Sequence, residues 1–155
     1  MSMTQQQAFI DKWVGYLNAN NHEMSLIAAQ KLGNVKDSSA VTALIQALKN
    51  RPDDVRTLAA RSLGLIGDRT AVPALIRLLE DRNAQVASTA ADSLGAIGDS
   101  SAVPALVKVL QEYKSDGVRH KQLHGFDRGV FTAAVKALQK INTPAARQAL
   151  TKYHR

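Results

Sequence analysis

Apolar residues recur along this chain with the period of an α-helix. In residues 55–66, Val55, Ala59, Leu63 and Ile66 stand at spacings of four, four and three, marking one helix face. A second set, Val72, Leu75, Ile76 and Leu79, predicts another helix over roughly 70–81. Gly67 between them fits the left-handed position that ends a helix, and Asp68 or Thr70 offers a side-chain oxygen to cap the next one. With Thr70 as cap, Pro73 is the third helical residue and no hydrogen bond is lost; with Asp68 as cap, the proline kinks the first turn. Ala59, Ala60 and Gly64 keep the first helix's surface low, so that neighbouring helices can approach closely. No strand pattern occurs anywhere.

The helix pair repeats. Residues 52–82 lie over 83–113 without a gap and agree at 15 of 31 positions, among them Val55/Val86, Leu63/Leu94, Gly67/Gly98, Asp68/Asp99 and Pro73/Pro104. A further shift of 31 back recovers Ala28, Leu32, Gly33, Asp37, Leu44 and Leu48 in 21–51, and another aligns Phe9, Ile10, Trp13, Val14 and Leu17. Beyond residue 113 the match resumes at an offset of 44, with Leu138, Ile141 and Leu150 over Leu94, Ile97 and Leu106. An insertion of 13 residues near 114–126 accounts for the difference. The expected division of this single domain, 1–155, is a half repeat or cap at about 1–20, units at 21–51, 52–82 and 83–113, the insertion at 114–126, and a degenerate last repeat or cap at 127–155. No single pair could bury its apolar face alone, so the pairs must stack.

Composition narrows the class. The chain has 155 residues, 45% hydrophobic and 5% aromatic, and no cysteine, which excludes disulfides, thiolate zinc sites and a cysteine nucleophile. No apolar run approaches the ~18 residues of a membrane span, and no basic-then-apolar leader opens the chain, so a cytoplasmic protein is expected. The formal charge of +7 is unevenly placed. Residues 1–107 balance ten cations with ten anions, whereas 108–155 set ten Lys/Arg against Glu112, Asp116 and Asp127. Such asymmetry concerns partners and association rates, not fold.

The string V-R-x-x-A-A-x-S-L-G-x-I-G-D-x-x-A-V-P-A-L-I-x-L-L-x-D at 55–81 resembles the HEAT repeat, in its short phycobilisome-lyase-like subtype. The resemblance covers 9–113 and, more weakly, 127–150. Repeat pattern and resemblance together give the expected fold, an all-α, right-handed α-solenoid of stacked antiparallel helix pairs with about nine helices. The resemblance implies that proline-bearing helices lie on the convex side and that 22–35, 54–66, 85–97 and 128–141 line a concave groove. The family's arginine after valine survives only as Arg56; Ser25, Ala87 and Phe131 replace it elsewhere. It further implies a link to phycobilisome or bilin handling, since such repeats occur in subunits that attach or remove bilins on phycobiliproteins. Those proteins are typically acidic, which suits a basic end.

Candidate partner-binding residues follow from the register. Opposite the buried stripe stand Gln30, Arg61, Asp92 and Lys136, with Leu26, Thr57, Ser88 and Thr132 one turn earlier. Their mixed sign suits a shallow protein-binding surface better than a phosphate track; the plainer alternative is a solvated face on which Arg61 and Asp92 pair. The insertion contributes Arg119, His120, Lys121 and Phe126, followed by Arg128, either as a binding segment for an anionic partner or as a cap over the stack's end. His120 and His124 are four apart, but flanking glycines and the lack of a third ligand speak against a metal site. Phe9, Trp13, Tyr16, Phe126, Phe131 and Tyr153 lie toward the two ends and read as capping material, with a chromophore or base-stacking role as the sharper alternative.

No phosphate loop, nucleophile elbow or paired carboxylates are present, so no catalytic residue and no cofactor is assigned. The expected function is a non-catalytic protein–protein interaction or scaffold module. It would engage another protein with an acidic surface through Arg56 and the groove together with the basic C-terminal third. The alternatives are a nucleic-acid-binding HEAT-like protein and an auxiliary subunit of a bilin lyase.

Overall fold

The computed structural model describes residues 2–49, 51–115 and 128–153. Among them are nine α-helices and no strand: α1 (Met3–Asn18), α2 (His22–Val35), α3 (Val41–Ala47), α4 (Asp53–Ile66), α5 (Val72–Leu78), α6 (Ala84–Ile97), α7 (Val103–Ser115), α8 (Arg128–Ile141) and α9 (Pro144–Tyr153). They form the α-solenoid that the periodicity predicts. Side-chain oxygens set the helix starts. Ser2 and Gln5 make a capping box on α1, Asn21 accepts the N–H of Met24, and Asn83 accepts those of Gln85 and Val86.

The connections between paired helices are almost copies. Asp37, Asp68 and Asp99 each open a 3-10 turn, at Ser38–Ala40, Arg69–Ala71 and Ser100–Ala102, by accepting the N–H two residues on at 2.8–2.9 Å. Those backbone N–H bonds, and then the hydroxyls of Ser39, Thr70 and Ser101, hold all three carboxyls below their ordinary value. Asp68 is thus the cap, but the second helix is shorter than the expected 70–81. The 3-10 turn comes first, α5 begins at Val72, and Pro73 falls in its opening turn without a kink.

Preceding each turn, the chain passes through the left-handed region. Gly67 (φ 77°) and Gly98 (φ 74°) do so freely, whereas Lys36 (φ 55°) and Asn142 (φ 52°) hold the equivalent places. A side chain in this region costs about 1–2 kcal/mol, with asparagine the better tolerated.

Helices α2, α4, α6 and α8 pack directly on one another in sequence, while α3, α5 and α7 pack mainly on that row rather than on each other. The core repeats in register: Leu32, Leu63, Leu94 and Leu138 are fully buried on the first row, and Leu44, Leu75 and Leu106 on the second. What brings the first row together is the absence of side chains. A Cβ on Gly64 would lie 2.9 Å from the Cα of Ser93, and one on Gly33 equally close to that of Ser62. At this separation buried Ser62 Oγ donates to Ala29 O at 2.7 Å, and Ser93 Oγ to Ala60 O at 2.8 Å. The last junction uses Gly95 against Ala137 instead. The tightly spaced row is therefore the inner side of the curve, and the proline-bearing helices form the outer side.

Aromatic rings stand at both ends of the stack. Trp13 lies between Phe9 and Tyr16 at centroid separations of 6.0 and 5.4 Å, and Tyr113 stacks on Phe131 at 4.4 Å. Trp13, Tyr16, Phe131 and Tyr153 pack partly buried against the core, as end-closing residues would.

Gly64→Ala must push backbone against backbone, and a loss of about 1–3 kcal/mol is expected in urea unfolding. Lys36→Gly relieves a left-handed lysine and should add about 0.5–1 kcal/mol, after the extra chain entropy of glycine is set against it. Thermal unfolding of the two variants beside the parent checks both signs.

Candidate functional site

Each inner helix turns the side opposite its core contacts to solvent, so equivalent residues of the four helices form rows across the concave face. Gln30, Arg61, Asp92 and Lys136 make one row, all exposed; Leu26, Thr57 and Ser88 are half-buried and Thr132 exposed in another. A third row, Asn34, Leu65, Ala96 and Lys140, is also exposed. Leu65 is one of two large apolar residues left open among the described residues, at 46% exposure, and Leu58 lies half-buried on the same helix. The face therefore has apolar material toward α2 and α4 and cations toward α8.

The expected groove residues converge at the α6–α8 end. Ser88, Asp92, Arg128, Gly129, Thr132, Ala133 and Lys136 line a shallow depression of about 400 Å³. Arg128, Lys136 and Lys140 form no ion pair with any described residue, nor do Arg61 and Asp92 pair with each other. Helices α8 and α9 contain no acidic residue at all. Among the described residues that line this depression, Asp92 is the one carboxylate. Lys140 was not among the sequence-derived candidates. The 44-residue offset that aligns Leu138 with Leu94 also places Lys140 over Ala96, so reading one more turn of the same row would have found it.

Arg56 does not belong to the groove. Its side chain is 8% exposed and runs to the edge where inner helices begin. There Nε and Nη2 hold the two oxygens of Asp81 at 2.9 and 2.8 Å, Nη1 donates to Arg51 O, and Nη2 also meets Asp53 at 2.8 Å. The bond to Asp81 leads in raising the guanidinium's affinity for its proton, ahead of Asp53. Asp53, in turn, is held below its usual value first by the side-chain amide of Asn83 and then by Arg56. With four of its five N–H groups engaged, Arg56 is a clamp between units and not a free contact. At two of the three equivalent positions the tie is made by other means, Ser25 Oγ donating to Asn21 O and Leu17 O and Phe131 stacking on Tyr113, while the third, Ala87, has only a methyl group.

Arg119, His120, Lys121 and Phe126, with the His120/His124 pair, lie outside the described residues. No group of three or more His, Asp or Glu capable of holding a metal occurs among the described residues.

Stacked helix pairs with a tightly spaced inner row define the class as an α-helical repeat protein. The chain belongs to the HEAT-repeat family, whose model matches residues 41–126; a PBS lyase HEAT-like repeat is matched at residues 26–50. A chain in the structure of the complex of CpcE and CpcF of phycocyanin lyase from Nostoc is 28% identical, with a TM-score of 0.70. That similarity covers 94% of this chain but 63% of that one, less than two thirds of its length. Human deoxyhypusine hydroxylase, solved in complex with glycerol, shares the fold at 21% identity and a TM-score of 0.62, over 97% of this chain and 47% of the enzyme. An engineered protein does so at 23% and 0.64, over 94% and 68%. No curated protein sequence matches the chain.

Arg56→Lys keeps the charge but loses the planar fork that grips Asp81, and a loss of about 2 kcal/mol in stability is expected, read by urea unfolding.

Proposed function

We propose that this chain is a HEAT-repeat interaction module that holds the acidic surface of another protein against the C-terminal end of its inner face, in the handling of phycobiliproteins or their bilins. The observation that carries the reading is the α6–α8 depression lined by Arg128 and Lys136, with Lys140 one turn on, none of the three in an ion pair with any described residue. Unpaired cations on a rigid helix face give orientation and a fast encounter with an anionic partner. The half-buried Leu26 and Leu58 and the exposed Leu65 supply apolar contact at the other end of the same face.

Two further facts support the choice of partner class. The PBS lyase HEAT-like match lies on the unit 21–51, and the phycocyanin lyase structure is itself a complex of two proteins. An auxiliary role beside a lyase subunit fits the same surface, because it too requires a protein partner. Duplex nucleic acid fits less well. Asp92 stands in the middle of the cationic end, and Gln30, Thr57 and Ser88 interrupt any phosphate-spaced track.

The test is titration of purified phycocyanin, and in parallel duplex DNA, against the parent chain and a Lys136→Glu/Lys140→Glu variant. Phycocyanin affinity should fall about tenfold or more in the variant and decline with salt. Phycocyanin binding indifferent to the reversal overturns the assigned surface. DNA binding that is the stronger of the two, with a steep salt slope, overturns the partner class.

A further inference from the structure

A second cationic site lies away from the inner face, at the edge where α3 ends and α4 begins. Leu48, Lys49, Arg51, Arg56, Asp81 and Arg82 line a depression of about 740 Å³, within the range of small-molecule sites. Its floor is rigid. Arg56 is buried and fixed by Asp81, Asp53 and the carbonyl of Arg51, as described above. Both carboxylates are thereby committed to Arg56, and Asp53 also accepts from Asn83 at 2.7 Å. The other cations are left over. Lys49 and Arg82 are exposed and form no ion pair with any described residue, Arg82 acting on Asp53 only through space, and Arg51 makes one long bond, 3.5 Å, to Ala19 O. Four cations thus meet two carboxylates, which leaves two positive charges unbalanced around a concave surface.

The cluster is local and not a general property of the repeat. Arg51 and Arg82 occupy equivalent positions in successive units, but the next equivalent is Tyr113, which stacks on Phe131. Lys49 has Glu80 and Gln111 as its equivalents, and Glu80 is already bound to Lys108 at 2.8 Å. Among the described residues, the junction between the units 21–51 and 52–82 alone brings Lys49, Arg51 and Arg82 together over a fixed guanidinium.

We propose that this edge depression is an oxyanion site that binds the dianionic phosphate group of a small molecule, with Arg51, Arg82 and Lys49 as its direct contacts and Arg56 as its fixed floor, holding the backbone at Arg51. Two surplus charges match a phosphate dianion, and arginine forks suit its paired oxygens. The depression is open and leaves room beyond the phosphate for the rest of the ligand. This site is independent of the α6–α8 surface.

The experiment is a ¹⁵N-NMR titration with inorganic phosphate and with ribose 5-phosphate, each against sodium chloride of equal ionic strength. Saturable shifts at residues 48–56 and 81–83, absent with chloride, are expected. Arg51→Glu/Arg82→Glu should weaken binding about tenfold or more, while Lys136→Glu/Lys140→Glu changes it less than about twofold. Tighter binding of ribose 5-phosphate supports an esterified ligand; equal affinities support recognition of the phosphate group itself. Shifts that do not saturate, that gather equally around Arg128, Lys136 and Lys140, or that persist in the Arg51/Arg82 variant mean counterion attraction only and overturn the site. Arg51→Gln/Arg82→Gln serves the same reading if the double reversal fails to fold.

Discussion

The inner helices of this stack touch backbone to backbone at Gly33–Ser62 and Gly64–Ser93, and the rest of the molecule is arranged around that contact. Each serine sits where only hydrogen on the facing Cα leaves room, and its hydroxyl donates to a carbonyl of the neighbouring helix. Those carbonyls, of Ala29 and Ala60, lie in mid-helix, so the serine bond is an additional one and satisfies a donor that would otherwise be buried without a partner. A serine there without the glycine would clash, and a glycine without the serine would leave a void. Because the outer helices carry prolines and larger apolar residues and have no such contact between them, closing the inner row alone imposes a curve.

Curvature by this route leaves the concave surface free of structural duty. The contacts that hold α4 to α6 use Gly64, Ser93 and the buried alanines, and Arg61 or Asp92 could change without disturbing them. The positions a turn away therefore vary from unit to unit, apolar at Leu65 and cationic at Lys136 and Lys140, while the contact row barely varies. At the edge position of Arg56, three of the four units behave in the opposite way, Ala87 being the exception. Ser25, Arg56 and Phe131 differ in chemistry but each ties the start of an inner helix to the chain beside it, by hydroxyl, guanidinium fork or ring stacking.

Periodicity made the fold legible because the apolar spacing, Gly67, Asp68 and Pro73 are local signals repeated at 31 residues. It overestimated the second helix, since 3-10 and α turns share the same capping grammar and differ only in how tightly the first turn winds. It set Asp92 and Lys136 in one row, because register alone fixes those positions, and both line the α6–α8 depression. It misjudged Arg56 for the opposite reason: the partner that buries it, Asp81, is 25 residues away and its equivalents are Asn50 and Glu112, so no repeat signal pairs them. The cluster of Lys49, Arg51 and Arg82 escaped notice likewise, being made by two units meeting and by no motif within either.

The distribution of unpaired charge gives the proposed module a direction. The first two thirds of the inner face offer contact area with balanced charge, and the cations gather where α8 follows α6. A partner approaching from solution meets the field of Arg128, Lys136 and Lys140 first, since electrostatic attraction acts over about 10 Å while apolar contact requires touching. In the proposed binding mode its apolar margin would then rest on α4 and α2, at Leu65 and Leu58. On the proposed reading an acidic surface with an apolar margin fits this order better than a uniformly charged polymer, whose phosphates would meet Asp92 among the cations.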